Sequence, residues 1–256
     1  VINAAAKVGG ILANKNFPYE FIMQNMLIQN NLIDCSYKIG IKQFVFLGSS
    51  CIYPKLAPQP LKEEYLLTSS LEPTNDYYAI AKISGLKACQ AIKKQYGGNY
   101  ISLMPTNLYG YYDNFNLESS HVLPAMIRKF HEAKGNDHET VRLWGSGTPM
   151  REFLFADDLG CAVLFCLENK LSDDLYNIGT GKDIEIRELA KIVQKIIGHK
   201  GKIIWDSEKP DGTPRKVMDI SKMSNHGWKY STSLNDGIKK TYSWFLENIN
   251  NKNIRL

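Results

Sequence analysis

Two short apolar runs constrain the fold open to this chain. Phe44-Val45-Phe46-Leu47 is stopped by Gly48, and Tyr100-Ile101-Ser102-Leu103-Met104 is stopped by Pro105. Bounded runs of this length, rich in aromatic and β-branched residues, predict strands buried on both faces. Ahead of the first, Phe21, Ile22, Met26, Ile28, Leu32, Ile33 and Ile39 recur at helical spacing from about Pro18 to Ile39, up to Gly40. Ahead of the second, a helix is predicted from about Asp76 to Tyr96, with Gly97-Gly98 as its stop. Val1 to Ala6 reads as a strand end. Strand, helix and strand, twice over, make two βαβ units and predict a parallel sheet.

Beyond Pro105 the period changes. Residues 107–120, rich in Asn, Tyr and Gly, read as a loop, and His121 to Ala133 as a helix. Val141–Trp144, Glu152–Phe155 and Leu175–Ile178 read as strands, and Ile203–Trp205 as a short extended piece. Asp157 is the expected N-cap of a helix ending at Glu168. Asp183 is the expected cap of a helix with the stripe Ile186, Leu189, Ile192, Val193 and Ile197. The segment 210–216 reads as a rigid polar loop. Ser233 opens the last helix, with Asp236 three residues on in capping-box spacing. The order predicts an α/β protein: a doubly wound parallel sheet and a smaller, mixed α/β domain grown from the C-terminal half. Residues 1–110 are assigned to the first, with 152–182 returning to it, and residues 111–151 and 183–256 mainly to the second.

Composition narrows the function. A formal net charge of +5 over 256 residues, without a Lys/Arg run, argues against nucleic acid and leaves room for a local cationic site. The five cysteines are scattered and form no C-x-x-C pair, so neither a zinc site nor a disulfide framework is signalled. A reducing, cytoplasmic setting is the simplest reading. No apolar run reaches the ~20 residues that cross a bilayer.

The chemistry gathers where the first run ends. Ligands of an open parallel sheet lie beyond the carboxyl ends of its strands, where Ser49, Ser50 and Cys51 project. Tyr78 and Lys82 are four apart and share one helix face; Tyr77 has Ala81 at that offset. An ammonium near a phenol stabilises the phenolate. Alone, the spacing more often describes a surface Tyr and Lys on a helix. Following a strand that ends in Ser49, it supplies a hydroxyl, a phenol and an ammonium able to grip a carbonyl during hydride transfer.

That triad resembles the extended short-chain dehydrogenase/reductase superfamily. Longer blocks resemble its GDP-L-fucose synthase family: residues 4–10 (AAAKVGG), 47–54 (LGSSCIYP), 72–75 (EPTN), 78–82 (YAIAK), 104–110 (MPTNLYG), 144–152 (WGSGTPMRE) and 209–216 (KPDGTPRK). They run through nearly the whole chain in the family's order. The resemblance implies a Rossmann-like fold, NADPH as cofactor, a homodimer, and conversion of GDP-4-keto-6-deoxy-D-mannose to GDP-L-fucose by 3,5-epimerisation and 4-reduction. It implies Ser49, Tyr78 and Lys82 as the reductase triad, with Tyr78 protonating the C4 oxygen. Cys51 as base and His121 as acid match the epimerisation pair. Leu47, Gly48, Ser49, Ser50, Lys82, Pro105, Thr106, Asn107, Leu108 and His121 fall at dinucleotide positions. Lys129, Trp144, Arg151, Asp211 and Lys216 fall at nucleotide-sugar positions.

The chain departs from the family in places. Lys129 stands where many relatives carry arginine, Tyr77 where proline is common, and Tyr111-Tyr112 where a Pro-His pair is usual. No glycine-rich turn between a first strand and helix is present, and Val1 is not a methionine. The expectation is a chain lacking its N-terminal part, with the adenine and pyrophosphate half of the cofactor cradle, which by itself binds NADP weakly or not at all. The competing readings are a 4-epimerase or 4,6-dehydratase of the same superfamily, and a dinucleotide-binding protein without turnover. A dehydratase needs an acidic pair where Ser50 and Cys51 stand, and a simple 4-epimerase needs no thiol and imidazole.

Overall fold

The computed structural model describes residues 1–169, 171, 173–209, 211–251 and 254–256. Pro210, within the predicted polar loop, lies outside the described residues. The first half contains β1 (Ile2–Asn3), α1 (Ile11–Asn16), α2 (Pro18–Lys38), β2 (Gln43–Leu47), α3 (Asp76–Tyr96), β3 (Asn99–Pro105) and β4 (Asn107–Tyr109). The second contains α4 (Val122–Gly135), β5 (Thr140–Trp144), β6 (Met150–Phe155), α5 (Ala156–Glu168), β7 (Leu175–Ile178) and β8 (Asp183–Glu185). It closes with α6 (Ile186–Ile197), β9 (Lys202–Asp206), β10 (Arg215–Lys216), α7 (Ser221–Asn225) and α8 (Leu234–Asn248).

The parallel sheet is present, in the order β1-β2-β3-β7. Gln43 pairs with Asn99 and Leu47 with Leu103, so β2 and β3 end level with each other. Both faces are covered. Phe44 and Phe46 pack with Ile33, Leu86 and Tyr100 on one side, while Val45 joins Ile101, Leu103, Val163 and Tyr176 on the other. Full burial of a side chain such as Phe46 stabilises the fold by roughly 1.5–3 kcal/mol. Helix α3 can lie this close because Gly85 has no side chain: a Cβ there would stand 2.5 Å from Phe46 Cζ and 2.8 Å from Gln29 Cδ. The helix stops at Gly97, whose φ of 72° is left-handed and suits glycine.

A second apolar core, with Phe115, Ile127, Phe130, Leu189, Val193, Ile238 and Phe245, lies among α4, α6 and α8. Around it β6 pairs in parallel with β4 and β10 and antiparallel with β8, and β5 pairs in parallel with β9.

Several local expectations change. The segment 107–120 is not all loop, because Asn107–Tyr109 pairs with Phe153–Phe155 as β4. Neither predicted aspartate caps its helix. Asp157 sits inside the first turn of α5 without capping it. Its neighbour Asp158 is buried and accepts from Ser231 N and Oγ, both at 2.8 Å, and from Thr232 N at 3.1 Å. Asp183 belongs to β8 and forms a forked pair with Arg215, at 2.5 and 3.3 Å. A carboxylate near a helix start has other donors to choose from, and here tertiary partners win. Ser233 does cap α8, its Oγ accepting from Asp236 N at 3.2 Å.

Candidate active site

The end of β2 turns sharply. Ser49 is extended, with φ −160° and ψ 147°, and its Oγ accepts from Cys51 N at 3.2 Å, capping a 3₁₀ turn over Ser50–Ile52. Gly48 N donates to Leu103 O at 2.9 Å, which fixes the turn against β3. Ser50 is buried and Cys51 half-buried.

Tyr78 and Lys82 lie on the first two turns of α3. The Tyr78 ring packs edge-on to Phe21, with centroids 6.2 Å apart. Burial pushes its phenol well above the ordinary range, the neighbouring Cys51 adds to that, and a hydrogen bond with Ser49 opposes it. The expected lowering by Lys82 does not appear. Burial brings the Lys82 ammonium down to about 8, and Nζ donates to Leu47 O at 2.9 Å while standing 5.0 Å from the Phe46 ring centroid. Tyr78 is thus a protonated phenol at neutral pH.

Cys51 has two neighbours from distant parts of the chain. Asn75, at the N-terminus of α3, donates Nδ2 to Cys51 Sγ at 3.3 Å. Lys216 Nζ stands 3.6 Å from the same sulfur. Cys51, Asn75 and Lys216 line a small surface opening, alongside Glu72, Thr213 and Arg215. Arg151 pairs with Lys216 across β6 and β10 and interacts electrostatically with Cys51.

His121 sits at the N-cap of α4, where its carbonyl accepts from Ala125 N at 3.1 Å. Among the described residues no hydrogen bond joins its ring to Cys51. Although the residue keeps an exposed surface, crowding of the ring by protein atoms lowers its imidazole below the ordinary 6.5, so it is neutral at pH 7.

The remaining residues that the resemblance assigns to the dinucleotide lie at the end of β3 and in β4, beside β6. Thr106 N donates to Ile178 O at 2.9 Å. Thr106 Oγ1 and Asn107 Nδ2 both donate to the Glu152 carbonyl, at 3.2 and 2.8 Å. Pro105 ends β3, and Leu108 lies in β4 beside Leu154.

Lys129 and Trp144 form a separate group. Lys129 Nζ donates to Arg142 O at 3.1 Å and stands 5.3 Å from the Trp144 ring centroid; Lys209 Nζ stands 5.5 Å from it. At 42% exposure Trp144 is not a core residue, so its ring is open to a ligand. Asp211 links the two groups. Its carboxylate accepts from Ser146 N and Oγ, both at 2.8 Å, and its carbonyl from Arg151 Nη2 at 3.4 Å.

Three residues at this site had no role assigned from the sequence: Asn75, Glu152 and Lys209. Each stands inside a resemblance block, which was the available signal. Glu152 is fully buried, and its carboxylate accepts from Thr180 N, from Gly181 N at 2.7 Å and from Met218 N at 2.8 Å. It ties β6 to the strand exits on either side. Glu152→Ala would leave one buried and two part-buried amides without their acceptor, at about 1–3 kcal/mol for a buried orphan. With partial relaxation, urea unfolding should show a loss of about 3 kcal/mol. A loss under about 1 kcal/mol would show that the carboxylate does not hold these segments together.

Comparison with known proteins identifies the family. Residues 1–179 match the model of the NAD dependent epimerase/dehydratase family. The chain is 56% identical to GDP-L-fucose synthase 1 of Arabidopsis thaliana over 252 residues, covering 98% of this chain and 78% of that protein. A GDP-6-OMe-4-keto-L-xylo-heptose reductase from C. jejuni superposes with a TM-score of 0.91 at 35% identity, covering 97% of this chain and 82% of the other. A GDP-L-fucose synthetase from Naegleria fowleri, solved bound to NADP, superposes with a TM-score of 0.89 at 29% identity, covering 100% and 79%. By family model and by identity, the chain belongs to the NAD dependent epimerase/dehydratase family and, within it, to the GDP-L-fucose synthases.

Proposed function

We propose that this chain makes GDP-L-fucose from GDP-4-keto-6-deoxy-D-mannose by 3,5-epimerisation followed by NADPH-dependent 4-reduction. The observation that carries this reading is the junction at the end of β2. There the Ser49–Tyr78 pair and the Cys51 thiol stand two residues apart on one capped turn. A reductase needs the first, and an enzyme that also inverts carbons beside the ketone needs the second.

The residues present fit the nicotinamide end of NADPH. Buried Lys82 has Leu47 O as a carbonyl partner, leaving N–H groups for ribose hydroxyls. When bound, NADPH supplies the hydride that reduces C4. Tyr78 gives its phenolic proton to the C4 oxygen as negative charge develops there, and Ser49 donates a hydrogen bond to the same oxygen. Before reduction, Cys51 removes a proton from carbon next to the ketone, and His121 returns one on the other face. His121 is neutral in the free protein, so the acid role requires it to gain a proton before it can give one. Arg151 and Lys216 provide cationic charge for the pyrophosphate of the substrate, and Trp144 with Lys129 and Lys209 forms an exposed platform for the nucleoside.

The same reading assigns residues 1–110 and 152–182 to the dinucleotide, and 111–151 with 183–256 mainly to the nucleotide sugar. The parallel sheet and the separate core around α4, α6 and α8 support that division. The test is incubation of the full-length protein with GDP-4-keto-6-deoxy-D-mannose and NADPH. The expected product is GDP-L-fucose, with NADPH consumed one for one. A product reduced at C4 but unchanged at C3 and C5 would favour a simple reductase, the activity named for the C. jejuni relative.

A further inference from the structure

The Cys51 sulfur receives more than a catalytic thiol needs for packing. Two N–H donors converge on it, one neutral and one charged: Asn75 Nδ2 at 3.3 Å and Lys216 Nζ at 3.6 Å. A thiol sulfur is a weak acceptor, whereas a thiolate accepts such bonds strongly. Asn75 keeps its amide aimed at the sulfur even though its own Oδ1 is buried without a partner.

The other charged groups near this opening are differently engaged. Lys55 Nζ pairs with Glu72 at 2.9 Å. Arg215 pairs with Asp183. Arg151 donates to the Met150 and Asp211 carbonyls, at 2.8 and 3.4 Å, and reaches Cys51 only through its longer-range field. Tyr78, from α3, is a protonated phenol and brings no charge of its own. Lys216 is therefore the cation aimed at the sulfur, held by the pairing of β10 with β6.

We propose that Lys216 and Asn75 are positioning residues for carbon-proton removal, holding Cys51 as its thiolate and aiming it at the sugar. This assigns Lys216 a task beyond the nucleotide-sugar contact that the family resemblance implies, and it rests on the proposed role of Cys51 as base. In the step, a sulfur lone pair takes the carbon-bound proton, and the C–H electron pair moves into the carbonyl as an enolate. Cys51 becomes a neutral thiol. The enolate then takes a proton on its other face, and the thiol returns its own proton to water before the next removal.

The test is alkylation of Cys51 by iodoacetamide, followed by mass spectrometry of the Cys51 peptide. The reagent is neutral, so losing the lysine charge does not change its attraction to the site. In Lys216→Met the rate at pH 7 should fall about tenfold below wild type, and at pH 10 the two rates should converge. Lys216→Arg should recover most of the pH 7 rate, and Asn75→Ala should slow it about threefold, as expected for loss of a neutral donor. Equal rates for wild type and Lys216→Met at pH 7, or an equal deficit at both pH values, would overturn the proposal. So would a Lys216→Met enzyme whose KM for the nucleotide sugar rises while its kcat for solvent-deuterium exchange at C3 and C5 is unchanged. The role of Cys51 as base is tested separately by Cys51→Ser. If that variant exchanges normally while alkylation depends on Lys216 as expected, the cradle stands and the base assignment falls.

Discussion

Tyr78→Phe is expected to abolish NADPH oxidation, with a loss of about 10²–10⁴-fold in C4 reduction, while exchange of solvent deuterium into C3 and C5 continues. The magnitude follows from what the phenol does. Burial holds Tyr78 protonated, so at pH 7 it has a proton to give to the C4 oxygen. Phenylalanine keeps the ring and its edge-on contact with Phe21, so the packing around the start of α3 is preserved. Ser49 would remain as a hydrogen-bond donor but is a poor proton source, which is why the deficit should not approach zero. Absorbance of NADPH reads the reduction, and mass spectrometry of the recovered nucleotide sugar reads the exchange. Reduction within tenfold of the native rate would mean that another group protonates C4.

The expected split between the two activities depends on features of unequal legibility. The sheet could be read from sequence because its strands are short apolar runs with a helix between them, and local periodicity carries that information. The Ser49 and Tyr78 positions were readable for the same reason, being fixed by a strand end and a helix start. Local pattern failed where partners are distant. A carboxylate before an apolar run looks like a cap, yet Asp158 next to the predicted cap serves Ser231 and Thr232, and Asp183 serves Arg215. β4 was hidden because Asn107–Tyr109 has loop-like composition and becomes a strand only by pairing with Phe153–Phe155. The surroundings of Cys51 are the extreme case. Asn75 lies 24 residues away and Lys216 lies 165 residues away, and no spacing rule joins them. The effect of Lys82 on Tyr78 is illegible for a subtler reason. Four residues apart places two side chains on one face, but it does not decide which acceptor the ammonium takes, and here Leu47 O takes it.

Cys51→Ser is expected to be the complementary variant, losing solvent-deuterium exchange at C3 and C5 by about 10²–10⁴-fold while still allowing some reduction at C4. Serine is nearly isosteric, and the turn that presents residue 51 depends on its backbone N–H donating to Ser49 Oγ, which the substitution leaves intact. Asn75 can donate to the new hydroxyl as it does to sulfur. What disappears is basicity at neutral pH: a thiol's model value of ~8.5 lies within reach of working pH, and an alcohol's lies far above it. Ser49 and Tyr78 need no contribution from the sulfur to act on C4, since Ser49's hydrogen bond pulls the phenol down while the Cys51 charge pushes it up. The product should be a GDP-6-deoxyhexose reduced at C4 with C3 and C5 as in the substrate, identifiable by proton NMR coupling constants. Exchange at the native rate in Cys51→Ser would remove the thiol from the epimerisation. It would leave His121, neutral at pH 7 and able to accept a proton, as the base to test next.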